Sequence, residues 1–475
     1  MAININLSDE SFRYDIYQMF NIFFSLDDIK INRSEEWDYK IDVQDSYIEV
    51  QTKDFCKKLN LEEDKKESVK RELFKFLSEL TGDYYPWGTL IGIRPSKIAL
   101  SLLNEGKTEE EVREYFSKKY LTSREKSDLC IEIAQREKSF VNTEKNKISI
   151  YIGMAFCPTR CLYCSFASNP IAGAKKKVGP YIEALIKEIN AVSSYVSEKK
   201  LTVNTVYFGG GTPTAVNNEE FDGLMEEIYE RIVKPFSPKE FTVECGRPDS
   251  ITEEKLLAMK KYKVQRISIN PQTMNDKTLK NIGRGHTSDE VKEKFCLARK
   301  LGFDNINMDI IVGLPGEGIG EIENTFNDIK ELKPESLTVH GMSIKRASRL
   351  YEELILGKET YMPNQDTLNK MYRRTRDLAE ELDMFLYYMY RQKNMAGNME
   401  NIGYSLAGKE CIYNMLMIED TETIIAIGAD AVSKVVFHEE NRIERFGNVK
   451  DVNEYITRID EMIQGKINLL NTLYK

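Results

Sequence analysis

Between residues 147 and 340, short apolar runs alternate with amphipathic stretches at helical spacing. This alternation constrains the fold more than any other feature of the 475-residue chain. The apolar runs lie at 148–156, 205–208, 241–244, 266–270, 306–312 and 337–340, with helix-period stretches near 180–198, 218–233, 252–261, 288–301 and 319–332. A strand that is apolar on both faces has to be covered on both faces. Strand–helix alternation of this kind therefore predicts an α/β fold, a parallel sheet under helices. Six such units fit either an open doubly wound sheet or an incomplete (β/α) barrel. In both, ligand chemistry collects at the C-terminal ends of the strands.

The rhythm changes on either side. Residues 8–24 are mixed at helical spacing, and 37–52 holds two period-two runs, the pattern of a half-exposed hairpin. Charged helix-period stretches follow near 64–81, 108–120 and 122–141; the second opens on Thr108 with Glu111 three residues on, a capping box. Beyond 355 come a charged amphipathic helix at 365–383, an aromatic and Met-rich stretch at 387–399, an apolar run at 424–431 and a final helix near 452–464. We expect three domains: an N-terminal α+β accessory domain (1–145), the alternating α/β domain (146–355) and a small C-terminal α+β domain (356–475). That number matches a chain of this length at about 150 residues per domain.

Composition narrows the class. With 41% hydrophobic and 30% charged residues the chain can bury a large core, which excludes disorder as a description of the whole. No apolar run approaches the roughly 20 residues that span a bilayer. The N-terminal residues lack the basic and apolar regions of a signal peptide, so a cytoplasmic location is expected. With 67 basic against 76 acidic residues the net charge is −9, which argues against a protein that coats nucleic acid.

Of eight cysteines, five are scattered singly and three fall in Cys157-Pro-Thr-Arg-Cys161-Leu-Tyr-Cys164, directly after the first strand of the alternating region. Clustering at a strand end points to a metal. Three thiolates at these spacings can hold three corners of a [4Fe–4S] cube, which ordinarily takes four cysteines, leaving one iron open. The alternative is structural zinc, which needs four ligands, with Cys245 as a distant fourth. The chain has no second C-x-x-C, and its three histidines are far apart in sequence, which weighs against zinc.

C-x-x-x-C-x-aromatic-C after a strand resembles the signature of the radical S-adenosyl-L-methionine (SAM) enzymes. The resemblance implies a partial (β/α)6 barrel carrying a [4Fe–4S] cluster on Cys157, Cys161 and Cys164. SAM would chelate the open iron and be cleaved reductively to a hydrogen-abstracting 5′-deoxyadenosyl radical. The segment Tyr207-Phe-Gly-Gly-Gly-Thr-Pro-Thr resembles the GGxTP segment of that superfamily, which implies that Gly210, Gly211 and Thr212 meet the methionyl amino group. Further on, the chain resembles the oxygen-independent coproporphyrinogen III oxidase (HemN-like) family, which includes heme chaperones. The matching residues are Glu244 in Thr-Val-Glu-Cys-Gly-Arg, Gln272 in Ser-Ile-Asn-Pro-Gln, Arg284 in Asn-Ile-Gly-Arg-Gly-His and Asp309 in Asn-Met-Asp-Ile-Ile-Val-Gly. By that resemblance these four bind SAM, with Tyr163 against the adenine and Tyr151 near the sulfonium. The chemistry suits them, since carboxylates and amides bond ribose hydroxyls and Arg forks onto a carboxylate.

Within the family, the motifs are similar to the HemZ type: Cys-Leu-Tyr-Cys-Ser-Phe-Ala-Ser, Tyr390-Arg-Gln-Lys-Asn-Met-Ala-Gly-Asn and Ile427-Gly-Ala-Asp-Ala-Val-Ser-Lys. The resemblance implies oxidative decarboxylation of two propionates of coproporphyrinogen III to vinyls, giving protoporphyrinogen IX. The radical would take a β-hydrogen, after which carbon dioxide and one electron leave. An electron donor such as flavodoxin or ferredoxin would serve it. Two departures stand out. Phe166 occupies the position of a further Cys in the oxidases, and Gly153 and Ala155 stand where relatives read Tyr-Val-His-Ile-Pro-Phe-Cys. A heme-binding chaperone of the same family, or a radical SAM enzyme on another substrate, therefore stays open. A tetracarboxylate substrate needs cations. Arg247, Lys345, Arg346, Arg349, Arg391 and Lys393 are candidates, each equally readable as surface charge, while His340 reads as a substrate contact or a core histidine.

Overall fold

The computed structural model describes residues 3–24, 28–92, 94–140, 144–165, 169–356, 361–392 and 395–474, without the side chains of 137–140. Phe166 and Lys393 lie outside these residues. The chain divides into two compact units. One comprises 1–135 with 364–370 and 390–400; the other comprises 136–363 with 371–389 and 401–475.

In the first unit the hairpin expected at 37–52 is an antiparallel pair, Tyr39–Val43 with Tyr47–Gln51. Its alternation buries Ile41, Val43, Ile48 and Val50 on one face. Cys56–Asn60, Ile3–Leu7 and Ile29–Ile31 complete a five-stranded sheet. The helices Arg13–Phe23 and Lys65–Thr81 supply Ile16, Met19, Phe20, Leu73 and Leu77 to its core. The Thr108 capping box opens the helix Glu109–Tyr120.

The segment 390–400 is tied into this unit by buried polar groups. Glu400 accepts from Trp87 Nε1 and Lys126 Nζ, each at 2.6 Å. Arg391 donates to the carbonyls of Leu90 (2.5 Å) and Asn398 (2.7 Å) and stacks on Trp87 at 4.6 Å. Arg391 is thus not a substrate cation: it is 3% exposed, and its guanidinium is engaged inside this unit.

The second unit holds the alternating region. Its first six strands are β1 (Lys147–Met154), β2 (Thr202–Gly210), β3 (Glu240–Gly246), β4 (Arg266–Ile269), β5 (Ile306–Val312) and β6 (Ser336–Gly341). All neighbouring pairs among them are parallel and stand in chain order. A doubly wound sheet reverses its order at a switch point, and this one does not. It is a partial (β/α)6 barrel, with Ile171–Glu198, Asn218–Ile228, Glu253–Lys261, Ser288–Lys300 and Ile319–Leu332 as the connecting helices.

The other strands of this sheet are β7 (Phe385–Tyr390), β8 (Asn401–Ser405), β9 (Thr423–Ile427), β10 (Val432–Phe437) and β11 (Arg442–Gly447), in the sheet order β7-β8-β6-β5-β4-β3-β2-β1-β9-β10-β11. The chain beyond 400 therefore extends the barrel sheet at both edges, which covers edges that would otherwise offer unpaired backbone. β9 is parallel to β1, in register Thr423 with Ile148 to Ile427 with Ile152. Among the described residues no helix is long and apolar enough to cross a membrane.

A buried charge fixes the turn after β9. Glu188 accepts from Gly428 N (2.8 Å), Asn448 Nδ2 (2.9 Å) and Tyr455 Oη (2.5 Å), and pairs with Lys466. Gly428 has φ +108°, and a Cβ there would lie 2.4 Å from the Gly153 carbonyl oxygen, so only glycine lets this turn rest on the end of β1. Removing one partner of a buried ion pair leaves the other charge stranded. Lys466→Met should cost on the order of 3 kcal/mol in urea denaturation, and adding Glu188→Gln should recover part of it. A single-variant loss below about 1 kcal/mol, the value of an exposed pair, would contradict the account.

Candidate active site

The cysteine loop leaves β1 at the C-terminal edge of the barrel. Gly211 N donates to Met154 O (2.7 Å) and Thr212 N to Phe156 O (2.8 Å), so the Gly-Gly-Gly-Thr loop lies against the chain leading into Cys157. Gly210 has φ +98°. A Cβ at Gly211 would sit 2.6 Å from Phe156 O and 3.1 Å from Cys157 Sγ, so side chains are excluded there. Other strand-end loops hold the rest: Leu162 N donates to Ile282 O (2.9 Å), Leu350 N to Leu162 O (2.9 Å) and Arg160 Nη2 to Ala347 O (2.7 Å). Cys157 is buried; Cys161 and Cys164 are half-buried.

Both other thiols of the loop are near enough to act on Cys157. Burial pushes Cys157 up to about 11; the Thr212 hydroxyl at 3.5 Å pulls it back, Cys164 and Cys161 push it up again, and Arg247 pulls it down. Cys245, the distant zinc-ligand candidate, instead has its sulfur 3.7 Å from Met259 Sδ in the core. Among the described residues no three or more His, Cys, Asp or Glu side chains lie close enough to share one metal ion. A cube takes each cysteine on a different iron, so its ligands stand further apart than those of a single ion.

Beside the loop, a cavity of about 240 Å³ opens between Tyr151, Gly153, Gly210, Gly211, Glu244 and Asp430. A larger cavity of about 670 Å³ between Lys145, Lys199, His438 and Tyr474 brings together none of the residues singled out from the sequence. Chemistry, not size, locates the site. Tyr151 is stacked with Tyr207 (6.2 Å, 16°) and Tyr413 (6.1 Å, 21°), and Tyr207 with Tyr413 (4.7 Å, 24°). Tyr413 comes from the helix Ile412–Glu419, whose first backbone N–H groups are capped by buried Glu240.

Two half-buried carboxylates, on β3 and β5 with β4 between them, are driven in opposite directions. Burial pushes Glu244 up to about 7, and Asp309 adds to this, against His340, the Tyr207 hydroxyl at 3.4 Å and the Gly210 N–H. Burial also works to raise Asp309, but the His340 imidazole, the Asn307 amide donating at 2.6 Å and the nearby Thr338 hydroxyl outweigh it and hold it low. His340 Nε2 stands 3.7 Å from Asp309 and is raised by that partner and by Asn401, against its own burial. Gln272 is buried at φ +69° and donates its N–H to Asp309 O (2.9 Å). Left-handed backbone at a residue with a side chain costs roughly 1–3 kcal/mol.

On the other side of the cysteines, Arg284 bonds Tyr163 and lies close to Cys161. Its Nε is buried with no hydrogen-bond partner. Lys345 is lowered by burial, with Cys164 acting against that.

Comparison with known proteins places this geometry. The radical SAM superfamily matches residues 151–329. The oxygen-independent coproporphyrinogen-III oxidase-like protein HemZ of Bacillus subtilis (strain 168) is 41% identical over 414 residues, 86% of this chain and 82% of HemZ. The chain belongs to this radical SAM family. The heme chaperone HemW of the same organism is 33% identical over 225 residues, 47% of this chain and 58% of HemW. Coproporphyrinogen III oxidase (HemN) from Escherichia coli, a radical SAM enzyme, shares the fold at TM-score 0.51 and 18% identity, over 70% of this chain and 73% of that one.

The cofactors of the family are a [4Fe–4S] cluster and SAM. The radical SAM site residues present fit them. Cys157 feels both other thiols, the glycines leave a cradle that a Cβ would fill, and Arg284 Nε is unpaired beside Cys161. Cys157, Cys161, Cys164, Tyr151, Tyr163, Gly210, Gly211, Thr212, Glu244, Gln272, Arg284, Asp309, His340 and Lys345 are linked by these contacts around one strand-end region. Arg346, on the loop after β6, and Arg349, at the start of the helix Arg349–Ile355, are exposed. Arg247 departs from its expected place among substrate cations: it is 3% exposed and forks onto Asp249.

Tyr207, Tyr413 and Asp430 were not singled out from the sequence. Tyr207 carried a signal, as the in-register partner of Tyr151 ahead of the glycines. Asp430 lies in the Ile427-Gly-Ala-Asp-Ala motif, which gave it no role, and no local pattern marks Tyr413.

A carboxyl raised in the folded state stabilises it below its unfolded value near 4.5, and that contribution is lost as pH rises through the folded value. For Glu244 the window is 4.5 to about 7. In urea denaturation of the cluster-free protein, Glu244→Gln should gain stability over the parent between pH 5 and pH 8. The gain should be on the order of 3 kcal/mol at most. Parallel pH profiles for the two proteins would contradict the raised carboxyl.

Proposed function

We propose that this chain oxidatively decarboxylates propionate side chains of coproporphyrinogen III to vinyls. The 41% identity to an oxygen-independent coproporphyrinogen-III oxidase-like protein, running through 86% of this chain, carries the reading. When bound, the cluster and SAM supply a reducing electron and a hydrogen-abstracting 5′-deoxyadenosyl radical. Cys157, Cys161 and Cys164 hold the cluster, and the Thr212 hydroxyl donates to Cys157 Sγ. Backbone of Gly210 and Gly211 and the Thr212 residue receive the methionyl amino group, and the free Arg284 Nε–H its carboxylate.

Glu244, Gln272 and Asp309 take the ribose hydroxyls. Tyr163 lies against the adenine and Tyr151 near the sulfonium, where the tyrosine stack excludes water from one side. Lys345, Arg346 and His340 meet substrate carboxylates. The protein works in the cytoplasm with a flavodoxin or ferredoxin as electron donor.

The similarity to HemW favours a second reading, heme carriage on the same fold. Anaerobic incubation of reconstituted, reduced protein with SAM and coproporphyrinogen III separates the two. The first predicts 5′-deoxyadenosine coupled to the loss of two carboxyl groups; stoichiometric heme binding without turnover would overturn it in favour of the second. Cys161→Ser should abolish cluster uptake in either case, and retained iron with SAM cleavage would refute the ligand assignment.

A further inference from the structure

We propose that Arg247 positions the cysteine loop and sets the reduction potential of the cluster, a role resting on the assignment of Cys157, Cys161 and Cys164 as its ligands. Arg247 follows β3 immediately after Gly246, which turns the chain at φ +65°. Its guanidinium is almost fully used. Nε donates to Asp249 Oδ1 (3.0 Å), Nη2 to Asp249 Oδ2 (2.6 Å) and Nη1 to Thr159 Oγ1 (2.5 Å). Thr159 stands midway between Cys157 and Cys161, and its hydroxyl passes the bond on to Gly283 O (2.9 Å). One cation thus joins the end of β3, the cysteine loop and the loop that carries Arg284. The backbone comes close as well. A Cβ at Gly285 would lie 3.0 Å from Asp249 Oδ2 and 3.1 Å from Arg247 Nη2.

A surface role does not account for a guanidinium 3% exposed. Nor does pairing alone, since Nη1 reaches past the partly exposed Asp249 carboxylate to the cysteine loop. Reduction adds one negative charge to a cluster already held by three thiolates. A fixed cation beside the loop favours the reduced form and raises the potential, while the Asp249 carboxylate screens it.

Opposite signs make this testable. EPR-monitored redox titration of anaerobically reconstituted full chain, with iron and sulfide counted, compares the parent with Arg247→Gln, Arg247→Lys and Asp249→Asn. Arg247→Gln should move the midpoint to more negative potential and Asp249→Asn to less negative, with Arg247→Lys near the parent. Simple loosening of the loop would shift Gln and Asn variants the same way, and that result, or no shift in either, would overturn the proposal. If Arg247→Gln cannot hold the cluster, Asp249→Asn decides: an upward shift supports it, and none or a downward one overturns it. A parent protein that takes up no four-iron cluster would instead overturn the ligand assignment beneath it.

Discussion

Two backbone hydrogen bonds, from Gly211 N to Met154 O and from Thr212 N to Phe156 O, carry the pairing of β1 and β2 past the end of the sheet. The site depends on this extension. It brings the glycine loop within van der Waals reach of Cys157, which is possible only without side chains at Gly210 and Gly211. The same two strands set Tyr151 beside Tyr207, so the inner wall of the cavity and the cluster loop share one register. A slip by one residue would turn every side chain to the opposite face and separate the cysteines from their cradle.

Around that seam, the charged groups divide by environment. Glu244 and Asp309 stand on neighbouring parts of one strand-end surface, yet one carboxyl is raised to about 7 and the other held low. Asn307 donates to Asp309 with His340 and Thr338 close by, whereas Glu244, half-buried at the cavity wall, has only a long bond from Tyr207 and the Gly210 N–H. Glu244 therefore keeps its proton to higher pH than Asp309 does.

Much of the barrel was legible. Nearly continuous apolar strands separated by amphipathic helices leave few topologies, and the six strands and five main connecting helices lie where the periodicity puts them. The cysteine triplet and glycine trio were readable because each chemical need is met within a few residues. The C-terminal part was not, because its role is set by distant partners. Thr423–Ile427 becomes a seventh parallel strand only through pairing with β1. Ala429 and Asp430 reach the cavity from the turn that Glu188, on a helix some 240 residues earlier, anchors at Gly428. Cations were misread for a related reason. Arg247 and Arg391 look like free charge in sequence, but Asp249, Thr159, Leu90 and Asn398 engage them once the chain has folded.

The central claim is that three cysteines on the loop after β1 hold a [4Fe–4S] cluster with one iron left for SAM. Mössbauer and EPR spectra of the anaerobically reconstituted chain, taken with and without SAM, test it most directly. The account predicts four irons per chain, one of them spectroscopically distinct and altered by SAM. Four equivalent irons indifferent to SAM, or a single tightly bound zinc, would contradict it.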